Sequence, residues 1–235
     1  MTTFVLVHGA WHGGWCWSRV ASILRKRGHS VTTPTQTGVG EKSHLLSKDI
    51  TLTTFGEDIV NHLKFEELDD VVLVGHSFGG ASISYAADKM TDRVQRLVYL
   101  DAAVIEAGET PLSNKPADVA ALRRQLADDN DGGLSLPPPP AVVMGITDPD
   151  DADWIERMMT PHPFNTMETP LEISGLPGAG LSVEYIACTD PWYSPLANDR
   201  ERAKGYGWGM REIAAGHDCM VSAPKALADL LETPL

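Results

Sequence analysis

Residues 71–80 read Val71-Val72-Leu73-Val74-Gly75-His76-Ser77-Phe78-Gly79-Gly80. The apolar run predicts a buried strand, and the proline-free residues 81–87 predict a helix. Ser77 then lies in a sharp turn between the two, where a strained backbone exposes its hydroxyl above the sheet. Such a turn needs small residues two positions before and after the serine, and Gly75 and Gly79 meet this requirement. The pattern predicts that Ser77 is a nucleophile.

The rest of the chain alternates short apolar runs with amphipathic stretches. This alternation is typical of a parallel sheet with helices on both faces, so we expect an α/β fold. Predicted strands lie at 4–7, 31–33, 71–74, 97–100, 183–188 and 210–213, and predicted helices at 15–27, 55–65, 81–87 and 224–231. The pattern breaks after Asp101, in a segment with many prolines and methionines. We predict a core of residues 1–103 and 181–235 and a cap of residues 104–180.

The composition indicates a globular chain that buries a sizeable core. It has 235 residues, of which 43% are apolar, and a net charge of −13, which argues against nucleic acid or anionic membrane as a partner. Three cysteines without C-x-x-C spacing suggest neither a disulfide framework nor a zinc site. The first predicted strand leaves no room for a signal segment, and no apolar run approaches the roughly 18 residues of a membrane span. We therefore expect a cytoplasmic protein.

A serine hydroxyl is a poor nucleophile without a base, and His217 is the candidate. It lies in a loop between the last short strand and the last helix, where the chain order serine, acid, histidine places a base. We expect His76, adjacent to Ser77, to be structural, and His8 to order the loop after the first strand.

Two aspartates are candidates for the acid that orients His217. Asp190 is the first choice, because it follows a predicted strand at the carboxyl edge of the sheet. Asp101, at the end of the strand after the nucleophile helix, is the alternative. Asp218 neighbours His217 in sequence, but adjacent side chains usually diverge, so we do not expect it to orient the ring.

A tetrahedral intermediate also needs donors for its oxyanion. The backbone N–H of Phe78, beside the nucleophile, is one candidate. The other comes from the glycine-rich loop His8-Gly9-Ala10-Trp11-His12-Gly13-Gly14, where small residues let the backbone approach a substrate. We choose the Ala10 N–H, with Trp11 in reserve. These glycines do not indicate a phosphate-binding loop, because they have neither the Walker spacing nor the G-x-G-x-x-G spacing.

Three motifs together resemble one known family. They are Phe4-Val5-Leu6-Val7-His8-Gly9-Ala10-Trp11-His12-Gly13-Gly14-Trp15, the Gly75–Gly80 turn, and Gly216-His217 with Met220 and Pro224. They look like the α/β hydrolases of the plant methylesterase and hydroxynitrile lyase branch, which includes bacterial carboxylesterases. The resemblance implies six parallel strands, a triad of Ser77, Asp190 and His217, oxyanion donors at Ala10 and Phe78, and no cofactor. Many relatives carry one more residue between the equivalents of Cys188 and Asp190.

Within this branch the residues favour an esterase over a lyase. Similar lyases carry threonine at the position of Gly9 and lysine at the position of Asp218. A cation there would stabilise departing cyanide, whereas the carboxylate of this chain would oppose its departure. We therefore predict a serine carboxylesterase acting on hydrophobic esters. A lactonase, a hydroxynitrile lyase and a small-molecule receptor that retains the triad are the alternatives, and a homodimer is one alternative for the oligomeric state. The residues expected to bind substrate are Trp11, Trp154, Met158 and Phe164.

Overall fold

Six parallel strands form the central sheet of the protein. The structure is a computed structural model that describes residues 1–178 and 180–235. In chain order the strands are β1 (Thr3–Val7), β2 (Ser30–Thr32), β3 (Val71–His76), β4 (Val94–Leu100), β5 (Ser135–Leu136), β6 (His162–Pro163), β7 (Ser182–Cys188) and β8 (Gly209–Ile213). The order across the sheet is β2-β1-β3-β4-β7-β8, whereas β5 and β6 form a separate antiparallel pair. Ala179, inside the predicted cap, lies outside the described residues.

Helices cover both faces of this sheet. The helices of the described residues are α1 (Ser18–Lys26), α2 (Leu52–Phe65), α3 (Gly79–Lys89), α4 (Ala117–Asp131), α5 (Pro149–Met158), α6 (Asn165–Glu168), α7 (Ala197–Gly205), α8 (Cys219–Ser222) and α9 (Pro224–Glu232). Of these, α4, α5 and α6 belong to the segment between β4 and β7 and not to the layers on the sheet. Successive side chains of β1 point to opposite faces, so Leu6 packs with α1 and α9, while Val7 packs with α2 and α3. The prediction of an α/β fold with a parallel sheet is confirmed.

The segment between β4 and β7 packs over the carboxyl ends of the strands. Most of its buried apolar side chains share one cluster with residues of the loops that follow β1 and β3; the cluster includes Ala10, Trp11, Phe78, Met144, Met159, Phe164 and Met167. The helix α5 of this segment begins at Pro149, and the Asp148 side chain accepts the N–H groups of Asp150 and Asp151. This segment therefore lies above the end of the sheet that carries Ser77.

No helix among residues 1–178 and 180–235 has the length and apolar character needed to cross a membrane.

Candidate active site

Ser77 occupies the turn between β3 and α3 with a positive φ of 52°. This conformation is costly for a residue with a Cβ, and it persists because the surroundings leave no alternative. A Cβ on Gly75 would lie 2.7 Å from the Gly79 carbonyl oxygen, and one on Gly79 would lie 2.6 Å from the His8 carbonyl oxygen. The glycines around Ser77 therefore allow β1, β3 and α3 to approach closely, as the sequence pattern predicts.

His217 lies within hydrogen-bond distance of Ser77, with 2.9 Å between its Nε2 and the Ser77 Oγ. The loop between β8 and α8 supplies His217, and two neighbours hold it there. The Tyr193 ring stacks on the imidazole at a centroid distance of 4.1 Å, and the His76 Nε2 lies 3.0 Å from the His217 carbonyl oxygen. The structure thus brings together the two residues that the sequence predicted as nucleophile and base.

The structure places Asp101, and not the first-choice Asp190, against the imidazole of His217. The Asp101 Oδ2 lies 2.7 Å from the His217 Nδ1, and both side chains are buried. Asp190 is exposed, and within the described part of the chain its carboxylate has no hydrogen bond or ion pair. The assignment of Asp190 is therefore corrected to the alternative, Asp101.

The order of strands in the sheet explains this correction. The strand β4 lies beside β3, with Leu100 in register with His76, so the next residue of each strand stands at the same edge. The Ser77 N–H donates to the Leu100 carbonyl at 3.2 Å, which fixes Asp101 beside Ser77. Asp190 lies beyond β7, one strand further away, and its N–H donates to Ala215.

Arg200 forms an ion pair with the buried Asp101, and no sequence pattern indicated it. The guanidinium donates from Nε and Nη2 to the Asp101 Oδ1 at 3.1 Å and 2.5 Å. Burial alone would raise the pKa of the Asp101 carboxyl, but its hydrogen bond to His217 and the charges of His217 and Arg200 bring that pKa below its usual value. The carboxylate can then hold the Nδ1 proton of His217.

Two backbone amides beside Ser77 are available to an oxyanion. Among the described residues, neither the Ala10 N–H nor the Phe78 N–H donates to another group. The His8 ring sets the peptide before Ala10: its Nε2 accepts the Gln36 N–H at 3.0 Å, so its Nδ1 donates to the Gly9 carbonyl at 2.8 Å. Burial lowers the pKa of His8 to about 3, which agrees with this neutral tautomer.

A small cavity opens at Ser77. Its lining includes Trp11 and also Met167, which comes from the segment between β4 and β7. Trp154 instead packs on Trp15, and Phe164 lies in the apolar cluster behind Phe78. Neither they nor Met158 line this cavity, so the structure does not bring these three predicted substrate contacts to Ser77. Sequence reasoning missed the polar lining residues Lys115, Arg123 and Tyr193, because they come from separate elements with no motif around them.

Asp218 points away from this cavity. Its carboxylate forms a hydrogen bond with His12 and does not line the cavity. The sequence argument against a lyase assumed that this carboxylate would face departing cyanide, and the structure does not place it there. His76, His217 and Asp218 hold three donor atoms within 4.8 Å, an arrangement that also suits a metal ion. Both ring nitrogens of His217 already have hydrogen-bond partners, Asp101 and Ser77. Hydrogen bonding therefore explains why these side chains lie together.

A family model described as "Alpha/beta hydrolase family" matches residues 4–230. The chain belongs to the alpha/beta hydrolase family. This alpha/beta hydrolase is 39% identical to a carbendazim hydrolyzing esterase of Nocardioides sp. (strain SG-4G), over 98% of both chains. It is 38% identical to a pFDCC methylesterase of Arabidopsis thaliana over 46% of this chain and 42% of that one.

A solved structure extends these comparisons over the whole fold. An extracellular alpha/beta-hydrolase from a Paenibacillus species, described as sharing structural and functional homology with tobacco salicylic acid binding protein 2, has a TM-score of 0.87 at 25% identity. The match covers 99% of this chain and 98% of that one. The predicted resemblance to the methylesterase branch and the prediction of a carboxylic ester hydrolase are confirmed.

Proposed function

We propose that this alpha/beta hydrolase is a serine carboxylesterase that cleaves small-molecule esters through an acyl-enzyme on Ser77. One observation carries the proposal: a hydrogen-bonded chain from Asp101 through His217 reaches Ser77 at a cavity where two backbone amides have no partner among the described residues. The esterase named among its relatives supports the same class of reaction.

The geometry assigns each step of acyl transfer to a residue. The Ser77 Oγ attacks the ester carbonyl carbon while the His217 Nε2 takes its proton, and the Ala10 and Phe78 N–H groups bind the oxyanion. When the tetrahedral intermediate collapses, the carbon–oxygen bond to the alcohol breaks and His217 returns the proton to the leaving oxygen. Water then attacks the acyl-enzyme with the same base. Asp101 holds the Nδ1 proton and stabilises the imidazolium at both stages.

The lining of the cavity favours esters with an apolar body. Most of the lining side chains are apolar, while Lys115 and Arg123 add hydrogen-bond donors at this cavity. Residues 104–180 act as a cap that covers the reacting ester. The cytoplasmic location stays a prediction, and the Paenibacillus relative is described as extracellular.

Hydrolysis of p-nitrophenyl acetate and butyrate tests the proposal. We expect Ser77→Ala and His217→Ala to abolish turnover, and Asp101→Asn to lower kcat on the order of 10³- to 10⁴-fold, because the amide no longer holds the imidazole in the reactive tautomer. Asp190→Asn is the matched control and should keep kcat within about twofold. Normal turnover in Ser77→Ala would overturn the proposal; a single burst without turnover in the wild type would favour the receptor alternative.

A further inference from the structure

His12 and Asp218 form a buried ion pair between two loops of the candidate active site. His12 lies in the loop after β1, and Asp218 directly follows His217. The His12 Nε2 and the Asp218 Oδ2 are 3.0 Å apart, and the side chains are only 1% and 0% exposed. Neither residue lines the cavity at Ser77, so neither is placed to contact substrate there.

The partners of His12 define its protonation state. Its Nδ1 lies 2.7 Å from the Ala10 carbonyl oxygen, and its Nε2 faces the Asp218 carboxylate. A carbonyl and a carboxylate only accept, so both ring nitrogens donate and His12 is an imidazolium. Burial alone would lower the pKa of His12, but the Asp218 charge and the hydrogen bonds raise it, while the same pairing lowers the pKa of Asp218 to about 2.

The pair joins the backbone of the two catalytic loops. His12 holds the carbonyl of Ala10, whose N–H is the proposed oxyanion donor, and Asp218 is covalently attached to the proposed base, His217. His76 reinforces the link, since it bonds the His217 carbonyl and lies 3.7 Å from the Asp218 Oδ1. Displacing an oxyanion donor typically costs on the order of 10²- to 10³-fold in kcat.

We infer that His12 and Asp218 are positioning residues, whose ion pair holds the oxyanion amide at the distance from His217 that the tetrahedral intermediate requires. This inference rests on the proposed function. The ionisable groups that face the pair are His8, His76, His217, Cys16 and Tyr193.

The test compares Asp218→Asn, His12→Gln and the double variant with the wild type on p-nitrophenyl butyrate. We expect each single change to lower kcat about 10- to 100-fold with KM changed less than about threefold, because the lost alignment matters only when the oxyanion has formed. Affinity for benzeneboronic acid, which forms a tetrahedral adduct on serine, should fall in parallel with kcat. The double variant, which restores neutrality, should lose no more than either single variant.

A pH profile separates positioning from general structural support. Wild-type kcat should fall at alkaline pH as His12 loses its proton, and this fall should be absent in His12→Gln, whose side chain does not titrate. His29→Gln is the matched control, since the His29 Nε2 also faces a carboxylate, Glu232, at 2.8 Å but lies away from Ser77; its kcat should equal that of the wild type.

Three outcomes would overturn the inference. They are kcat within twofold of wild type in Asp218→Asn, losses in the two single variants that multiply in the double variant, and an unchanged alkaline limb in His12→Gln. A single variant that does not fold leaves the double variant and the wild-type pH profile as the tests. Failure of the proposed function is a separate result, because it would appear as turnover that survives Ser77→Ala.

Discussion

Among single residues, Arg200 adds to His217 in keeping the Asp101 carboxylate charged beneath the imidazole. Its side chain is 1% exposed, it donates twice to Asp101, and its Nη2 also lies 3.2 Å from the Cys188 carbonyl oxygen. Its guanidinium lies over the Trp192 ring, 3.5 Å from the centroid. This fixed cation compensates the charge of the buried Asp101 carboxylate, at the cost of its own desolvation.

Arg200→Met should destabilise the protein and weaken catalysis most at acidic pH. Removing one partner of a buried pair typically costs about 3–5 kcal/mol, because the other charge is left buried. Without Arg200 the pKa of Asp101 rises, so kcat at pH 5.5 should fall further than kcat at pH 8. Urea unfolding and kcat between pH 5.5 and 8.5 measure both effects.

The control for Arg200 is Arg124→Met, which removes an exposed arginine that bonds the Glu168 carboxylate through Nε and Nη2. It should change neither the unfolding midpoint nor kcat. An Arg200→Met variant with the wild-type pH profile would contradict the role given to Arg200.

At the scale of elements, the junction of β3 and α3 depends on backbone-to-backbone approach. The first turn of α3 passes so close to β1 that a Cβ on Gly79 would lie 2.6 Å from the His8 carbonyl oxygen and 3.1 Å from that of Val7. Backbone atoms cannot rotate away as a flexible side chain can. Any side chain at Gly79 must therefore shift α3 or the loop that carries Ala10.

Gly79→Ala should lower the free energy of unfolding by roughly 1–3 kcal/mol, because the added methyl group overpacks this junction. It should also lower kcat at least about tenfold, since the shift moves Ser77 relative to the Ala10 amide. Gly205→Ala is the matched control. Gly205 is an exposed glycine of α7, and a Cβ added there would meet no atom of the described residues within 4 Å, so the change should be neutral or stabilising by about 0.5 kcal/mol. Equal stability of the two variants would contradict the packing argument.

For the molecule as a whole, buried neutral histidines set the response to acid. Burial lowers the pKa of His8, His76 and His162 to about 3, well below the usual 6.5. Between these values the unfolded chain binds protons that the folded chain does not, so stability is present above pH 6.5 and is lost as the pH falls. The raised pKa of His12 acts in the opposite sense, because its contribution is lost as the pH rises through that pKa.

We expect the free energy of unfolding to fall between pH 6.5 and 4.5 by up to about 1.4 kcal/mol per pH unit for each of these three histidines. Urea unfolding at several pH values measures the slope. His162→Gln, which removes one of the three and keeps a hydrogen-bonding side chain toward Thr166, should reduce that slope by about a third. A stability independent of pH across this range would contradict the prediction.

Local patterns in the sequence already predicted the β3–α3 turn, the position of Ser77 in it and the alternation of strands and helices. These features depend on steric limits and periodicities that act over a few residues. The order of motifs along the chain was enough to find His217. The helices α4 and α5, in the predicted cap, were harder to place, because prolines and glycines interrupt their segment.

The choice between Asp101 and Asp190 depended on which strand lies beside β3, and strand order is a long-range property that local spacing does not encode. For the same reason Arg200 and the His12–Asp218 pair were missed, since 99 and 206 residues separate the partners in the chain. The sequence alone established the chemistry available to this alpha/beta hydrolase. The folded structure selected which acid, which cation and which loop contacts serve it, because burial and charge pairing arise only when distant segments meet.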